Sequence, residues 1–155
     1  MTESGSLLFR ETEPADLEGL FSVRARTKEN AFSREQLAAL GITPESTAKG
    51  LASGWLKSCV CSDAAQLVGF CSGDGRTGEI LVLAVLPQYE HRGIGTGLLT
   101  RIVERLRSVG CKNIWLAASS DAKSRAYGFY RSRGWRPSGD RDERGDEILE
   151  LSTYN

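Results

Sequence analysis

The run Glu79-Ile80-Leu81-Val82-Leu83-Ala84-Val85 constrains the fold more than any other part of the chain. After its first residue it is wholly apolar. A strand without polar alternation has to be covered on both faces. Pro87 ends it, because proline has no N–H to give a ladder. Gly93, Gly95 and Gly97 follow, and then Leu98, Leu99, Ile102, Val103, Leu106 and Val109 recur as one stripe at helical period. A buried strand that passes through a glycine turn into a long amphipathic helix predicts a layered α/β arrangement.

The flanking segments supply the covering layers. Leu7 to Arg10 suits an opening strand, and Glu13-Pro14 starts a helix carrying Leu17, Leu20, Phe21 and Arg24 at helical spacing. Ser33 with Gln36 forms a capping-box pattern, with Leu37 and Leu40 behind it and Gly41 as the stop. Pro44 to Ser53 reads as a helix with Thr43 as N-cap and Gly54 as terminator. Trp55 to Cys61 and Leu67 to Ser72 read as a hairpin turning at Asp63-Ala64-Ala65, and Gly73-Asp74-Gly75 as the next turn. After the glycine turn come a strand at Asn113 to Ala118 and a helix at Asp121 to Arg133, stopped by Gly134. Two last strands, from Trp135 and at Glu147 to Leu151, flank a polar turn at Asp140 to Gly145. With 155 residues and no repeat or linker, residues 1–155 are expected to form one domain.

Lys plus Arg equals Asp plus Glu at 20 each, so there is no basic excess of the kind that neutralises a phosphate backbone. A nucleic-acid partner is not expected. No apolar run approaches the roughly 20 residues that span a bilayer. Met1 to Arg10 lacks a signal-peptide layout, so no membrane association and a cytoplasmic location are expected. Cys59, Cys61, Cys71 and Cys111 match neither a C-x-x-C metal pair nor a disulfide framework, and are expected to be reduced thiols, with no metal bound.

The turn from His91 to Gly97 carries the chemistry. The first turn of a helix has unpaired N–H groups and partial positive charge, and glycines let an anion reach that backbone. A phosphate or pyrophosphate is one occupant this predicts. Glycines in such turns also serve merely to bring a helix close to a sheet, so the turn alone leaves both roles open. It follows several earlier elements, and no acid lies on the strand Asn113 to Ala118, so a dinucleotide fingerprint does not fit. The Gly-Lys-Ser/Thr of a Walker loop is absent.

Glu90-His91-Arg92-Gly93-Ile94-Gly95 resembles motif A of the GNAT N-acetyltransferase superfamily, Gln/Arg-x-x-Gly-x-Gly/Ala, with Val85-x-Pro87 before it and Leu98-Leu99 after it. Ala126-Tyr127-Gly128-Phe129-Tyr130-Arg131-Ser132-Arg133-Gly134-Trp135 is similar to the family's Ala-x-x-x-Tyr-x-x-x-Gly-Phe/Trp segment. The resemblance covers roughly the last 80 residues, with both blocks in the family's order. It implies a single GNAT-like α/β (α+β) domain, with a central mixed, mostly antiparallel sheet of about six to seven strands flanked by helices and splayed at the cofactor site. The implied cofactor is acetyl-CoA as acyl donor. Its pyrophosphate would lie on the N–H groups of His91, Arg92, Gly93, Ile94, Gly95 and Thr96, and its pantetheine arm against the backbone of Leu83, Ala84 and Val85. Residues 79–135 would be the donor-binding core, and the helices within 13–53 the acceptor side. Two positions depart from the pattern. Glu90 replaces Gln or Arg, and would be repelled by a pyrophosphate unless it turns away or Arg92 or His91 offsets it. Lys123 stands where the family often has Asn, and is either a phosphate contact or a solvated side chain.

Acyl transfer to an amine needs a neutral nucleophile, and an amine of pKa near 10.4 is neutral in only roughly one part in a thousand at pH 7. A base therefore helps, and the departing thiolate gains from a proton donor. Glu79 opens a strand similar to the one that bears the general-base glutamate in the histone-acetyltransferase branch. It is either that base or an exposed strand-end carboxylate. Strict alternation puts it on the sheet face of Val85, nearly 20 Å away at about 3.3 Å per residue, unless a bulge or curvature intervenes. Tyr130 falls at the family's proton-donor position, with core packing as the alternative and Tyr127 as the fallback donor. His91 is the one histidine, and its place in the glycine turn gives its backbone more work than its ring. Arg24, Arg26, Glu29 and Asn30 lie where the first two helices join. Arg24 and Arg26 either hold a substrate carboxylate or are solvated. The expected activity is direct acetyl transfer to a primary amine of a small molecule or protein, by a monomer or homodimer. The alternatives are a non-catalytic acyl-CoA sensor and a nucleotide-binding module.

Overall fold

The computed structural model describes residues 7–28 and 31–151. β1 (Leu7–Glu11) leads through a short 3₁₀ turn at Pro14–Asp16 into α1 (Leu17–Ala25). Asp16 makes this corner. Its carboxylate accepts the Glu13 N–H at 2.7 Å and two Arg10 N–H groups at 2.8 and 2.9 Å. An N–H left over at a helix start is thereby satisfied by a group already tied to β1. The Arg10 guanidinium holds the Asp16 carboxyl below its ordinary value, so this stability is present above the unfolded carboxyl's pKa and is lost as pH falls through the folded one. α2 (Arg34–Ala39) opens with the expected reciprocal Ser33–Gln36 box, and α3 (Pro44–Ser53) with a Thr43 cap and a left-handed Gly54 at φ +86°.

β2 (Leu56–Asp63) and β3 (Gln66–Asp74) form the expected hairpin around Ala64 and Ala65. Gly73 and Asp74 belong to β3 rather than to a turn, which falls at residues 75–77. The glycine serves packing: a Cβ at Gly73 would lie 2.8 Å from Ile102. β4 (Ile80–Val85) and α4 (Ile94–Ser108) follow, α4 burying Ile94, Leu98, Leu99, Ile102, Val103 and Leu106. β5 (Ile114–Ala118) precedes α5 (Arg125–Arg131), which is shorter than the sequence suggests. The Asp121 carboxylate accepts the Lys123 N–H, and Ser124 caps Tyr127, so the helix starts only after Ser124. β6 (Trp135–Arg141) runs through Asp140, so the last turn is confined to residues 142–146 before β7 (Glu147–Leu151).

The strands form two antiparallel sheets, β1-β2-β3-β4 and β5-β7-β6. One parallel bridge, Glu79 to Trp115, joins them, with the Trp115 N–H donating to the Gly78 carbonyl at 3.1 Å. Beyond the bridge β4 and β5 diverge: the mixed, splayed arrangement, built from seven strands among the described residues. Cys59, Cys61 and Cys71 are buried in the core as free thiols, and burial pushes the Cys59 thiol up to about 11, which keeps it unreactive. Among the described residues, no helix is long and apolar enough to cross a membrane.

Candidate active site

The divergence of β4 from β5 opens a cleft of about 1180 Å³. β3 covers one edge of β4, and the Leu86 N–H donates to the Val68 carbonyl there. Backbone groups alternate edges along a strand, so Ala84 and Val82 also face β3, while Leu83 and Val85 turn theirs to the gap. Leu83 and Val85 line the cleft, opposite Leu116 and Ala118. Ala84 is not among the described lining residues and is 3% exposed. Of the three expected β4 residues, Leu83 and Val85 thus present their backbone to the gap, and Ala84 presents its own to β3.

The glycine turn closes one end of this gap. His91 at φ +68° and Gly93 at φ +81° are both left-handed, which curls the backbone before α4. Gly93 caps α4 without a side chain, and the first bond of the helix runs from the Gly97 N–H to the Gly93 carbonyl. The N–H groups of Ile94, Gly95 and Thr96 therefore precede the ladder, in residues that line the cleft. His91 lines it too. Arg92 does not: its guanidinium lies 4.8 Å from the Tyr89 ring centroid, and the Tyr89 hydroxyl donates to Asp63 at 2.6 Å. Glu90 is paired with Arg125 of α5 at 2.9 Å, and among the described residues no ion pair joins it to Arg92 or His91.

Tyr130 reaches the cleft from α5, packed edge-on against Phe129 and Trp135 at 5.1 and 5.9 Å between centroids. Among the described residues its hydroxyl has no hydrogen-bond partner. Burial, with Cys71 nearby, pushes the phenol well above its ordinary range, so it stays protonated. Tyr127 also lines the cleft, with the Arg131 guanidinium 3.7 Å over its ring. Arg131 is tied at 2.6 Å to Glu147, buried on β7, which anchors α5 to the second sheet.

Glu79 departs from strict alternation. Ser72 pairs with Val82 but Gly73 with Ile80, so Leu81 is an extra residue in β4. The bulge flips every side chain before it. Ile80 shares the α4 face with Gly73, and Glu79 falls on the face of Val82 and Ser72 rather than that of Val85. Its carboxyl is half-buried and raised above the ordinary value by burial, with Asp74 and Asp142 adding to the shift. Glu79 is not among the described lining residues, although Ile80 beside it is.

Several lining residues carry no signal in the motifs. Thr27 comes from the α1 end and Asp146 from the last turn, remote in sequence; Arg24, a candidate in the sequence, lines the cleft beside Thr27. Arg24 is half-buried over the Phe32 ring at 4.5 Å, whereas Arg26 is exposed and Glu29 and Asn30 lie outside the described residues. Arg133 donates to the Thr96 hydroxyl at 2.8 Å and stacks on Phe129 at 3.9 Å. Its position just before Gly134 gave only a helix end to read. Lys123, exposed, is among the residues that line the cleft.

A sheet split between two strands thus leaves gap-facing backbone on β4 and, at the end closed by the curled glycine turn, N–H groups that precede the ladder of α4. Residues 19–135 match the Acetyltransferase (GNAT) family, more than half of the chain, and the chain belongs to that family. Amino-acid acetyltransferase from Pseudomonas aeruginosa is 40% identical over 65 residues, which are 42% of this chain and 14% of that protein. The chain thus matches only a small part of the curated relatives' length. Its fold is that of PaiA N-acetyltransferase from Thermoplasma acidophilum, solved with coenzyme A, at TM-score 0.78 and 22% identity over 95% of this chain and 99% of that one. N-acetylglutamate synthase from Neisseria gonorrhoeae, solved with coenzyme A and N-acetyl-glutamate, aligns at TM-score 0.68 and 16% identity over 99% of this chain and 37% of that one.

Proposed function

We propose that this chain transfers the acetyl group of acetyl-CoA directly to the primary amine of a small, carboxylate-bearing acceptor. The observation that carries this is the placing of two backbone features in one cleft: the gap-facing edge of Leu83 and Val85, and the uncapped start of α4. An amide-bearing arm fits the first and a pyrophosphate the second, which is how acetyl-CoA is built. In support, a curated relative acts on an amino acid, by its name, and a fold neighbour was solved with N-acetyl-glutamate. Arg24, on the cleft wall toward α1, suits the acceptor carboxylate.

In this reading the gap-facing N–H of Leu83 or Val85 polarises the acyl carbonyl. Tyr130 donates a hydrogen bond to the departing sulfur, a role its raised phenol favours over outright proton release. Glu79, on the acceptor face of β4, takes the amine proton through water. Calorimetry with acetyl-CoA against NAD tests the donor, and thiol release with a panel of amines tests the acceptor. No binding of acetyl-CoA at millimolar concentration would remove the proposal. Amino acids reacting no faster than their decarboxylated amines would remove the carboxylate assignment. Tyr130→Phe is expected to lower kcat at least tenfold with the dissociation constant for acetyl-CoA within about twofold of the parent. Equal loss of both would make Tyr130 a packing residue only.

Glu79→Gln separates chemistry from stability. A base must be ionised, so kcat/KM should fall as pH drops through the raised Glu79 pKa, and that acid limb should vanish in the variant along with most of the turnover. The folded state prefers the protonated carboxyl, so the stability it contributes is present at low pH and lost as pH rises through the folded pKa. The variant, neutral throughout, should therefore melt higher than the parent at pH 7. An unchanged pH profile would return Glu79 to a strand-end role.

A further inference from the structure

The Glu90–Arg125 ion pair spans the mouth of the cleft. Glu90 stands immediately before the curled turn that follows β4. Arg125 stands at the start of α5, which is anchored to the second sheet. Both line the cleft. The pair therefore links the two walls at the end remote from the Glu79–Trp115 bridge. The partners differ in cover: the Glu90 side chain is 11% exposed and that of Arg125 is 42% exposed. Glu90 is the buried member of the pair, and Arg125 the one that solvent and a ligand can reach.

A carboxylate beside a turn of uncapped N–H groups is placed where an anionic ligand would be repelled. Arg125 answers that charge when no ligand is present. A guanidinium forks into more N–H donors than one carboxylate oxygen accepts, and it takes phosphate oxygens in the same geometry as carboxylate oxygens. We infer that Arg125 is a phosphate-binding residue of the acyl-donor site, and that Glu90 is an internal anion that competes with the donor phosphate for it. The side-chain donor that the family pattern offers from the loop, as Gln or Arg, is supplied here from the opposite wall, and Glu90 lowers its availability.

This assignment rests on the acetyl-CoA reading, and the two can fail separately. CoA and phosphate-free pantetheine are titrated into the parent, Arg125→Met, which keeps an unbranched stem, and Glu90→Gln, which keeps the shape. Arg125→Met should weaken CoA at least tenfold and flatten its salt dependence, with pantetheine unchanged. Glu90→Gln should tighten CoA about threefold to tenfold, again with pantetheine unchanged. CoA affinity unmoved by Arg125→Met overturns the assignment, as does an equal loss for pantetheine, which would mean a damaged wall. Weaker CoA binding by Glu90→Gln overturns the competition and makes the pair a clasp. A parent that binds no CoA overturns the donor reading itself.

Discussion

Gly95→Asp is expected to lose acetyl-CoA affinity by on the order of a thousandfold while the protein stays folded. Gly95 sits on the cleft wall in the first turn of α4, where a Cβ would meet Phe129 at 3.4 Å and Leu83 at 3.9 Å. Those are tight but tolerable contacts, so the steric part of the change is small. The electrical part is not. Two like charges 4 Å apart at an effective dielectric of 20 repel by about 4 kcal/mol, and each 1.4 kcal/mol is tenfold in affinity. The carboxylate would also compete for the very N–H groups that the pyrophosphate needs. Gly95→Asn, of nearly the same shape, isolates the charge and should cost far less. Calorimetric titration of both variants checks this. Equal losses would make the effect steric, and retained affinity in the aspartate variant would remove the glycine turn as the phosphate site.

Gly78→Ala is expected to destabilise the fold by about 3 kcal/mol or more, against a typical total of about 5–15. Gly78 has φ +83°, where a Cβ costs roughly 1–2 kcal/mol. That Cβ would also lie 2.1 Å from the Asn113 carbonyl oxygen, an overlap only a main-chain shift can relieve. Overpacking of this kind typically adds about 1–3 kcal/mol. The Gly78 carbonyl accepts the Trp115 N–H that joins the sheets, so the shift falls on that bridge. Urea unfolding measures the loss. A midpoint within error of the parent would show that the junction gives way freely.

Much of this was legible in the sequence because local chemistry and tertiary demand agree there. The Ser33–Gln36 box, the Thr43 cap and the apolar stripe of α4 each settle an element by themselves. The glycine turn was legible for the same reason. What was not legible depends on partners distant in the chain. Gly73 looks like a turn residue until Ile102 is seen to occupy its side-chain space. The facing of Glu79 turns on the extra residue Leu81, and nothing in an unbroken apolar run marks a bulge. Arg125 had no motif to single it out, since its meaning comes from Glu90 on the other wall. Thr27 and Asp146 join the cleft only through the path of the whole chain.

The single bridge between the sheets has a further consequence. At the bridge the two sheets are hydrogen-bonded to each other, and beyond it they are separate fabrics with a slot between them. A ligand whose amides fill that slot would act as the missing strand and stitch the halves into one continuous sheet. On the proposed reading, part of the scaffold's rigidity arrives with its substrate. The melting temperature should then rise with the logarithm of acetyl-CoA concentration. Amide exchange should slow at the inner edges of β4 and β5 before it slows at β1 or β6.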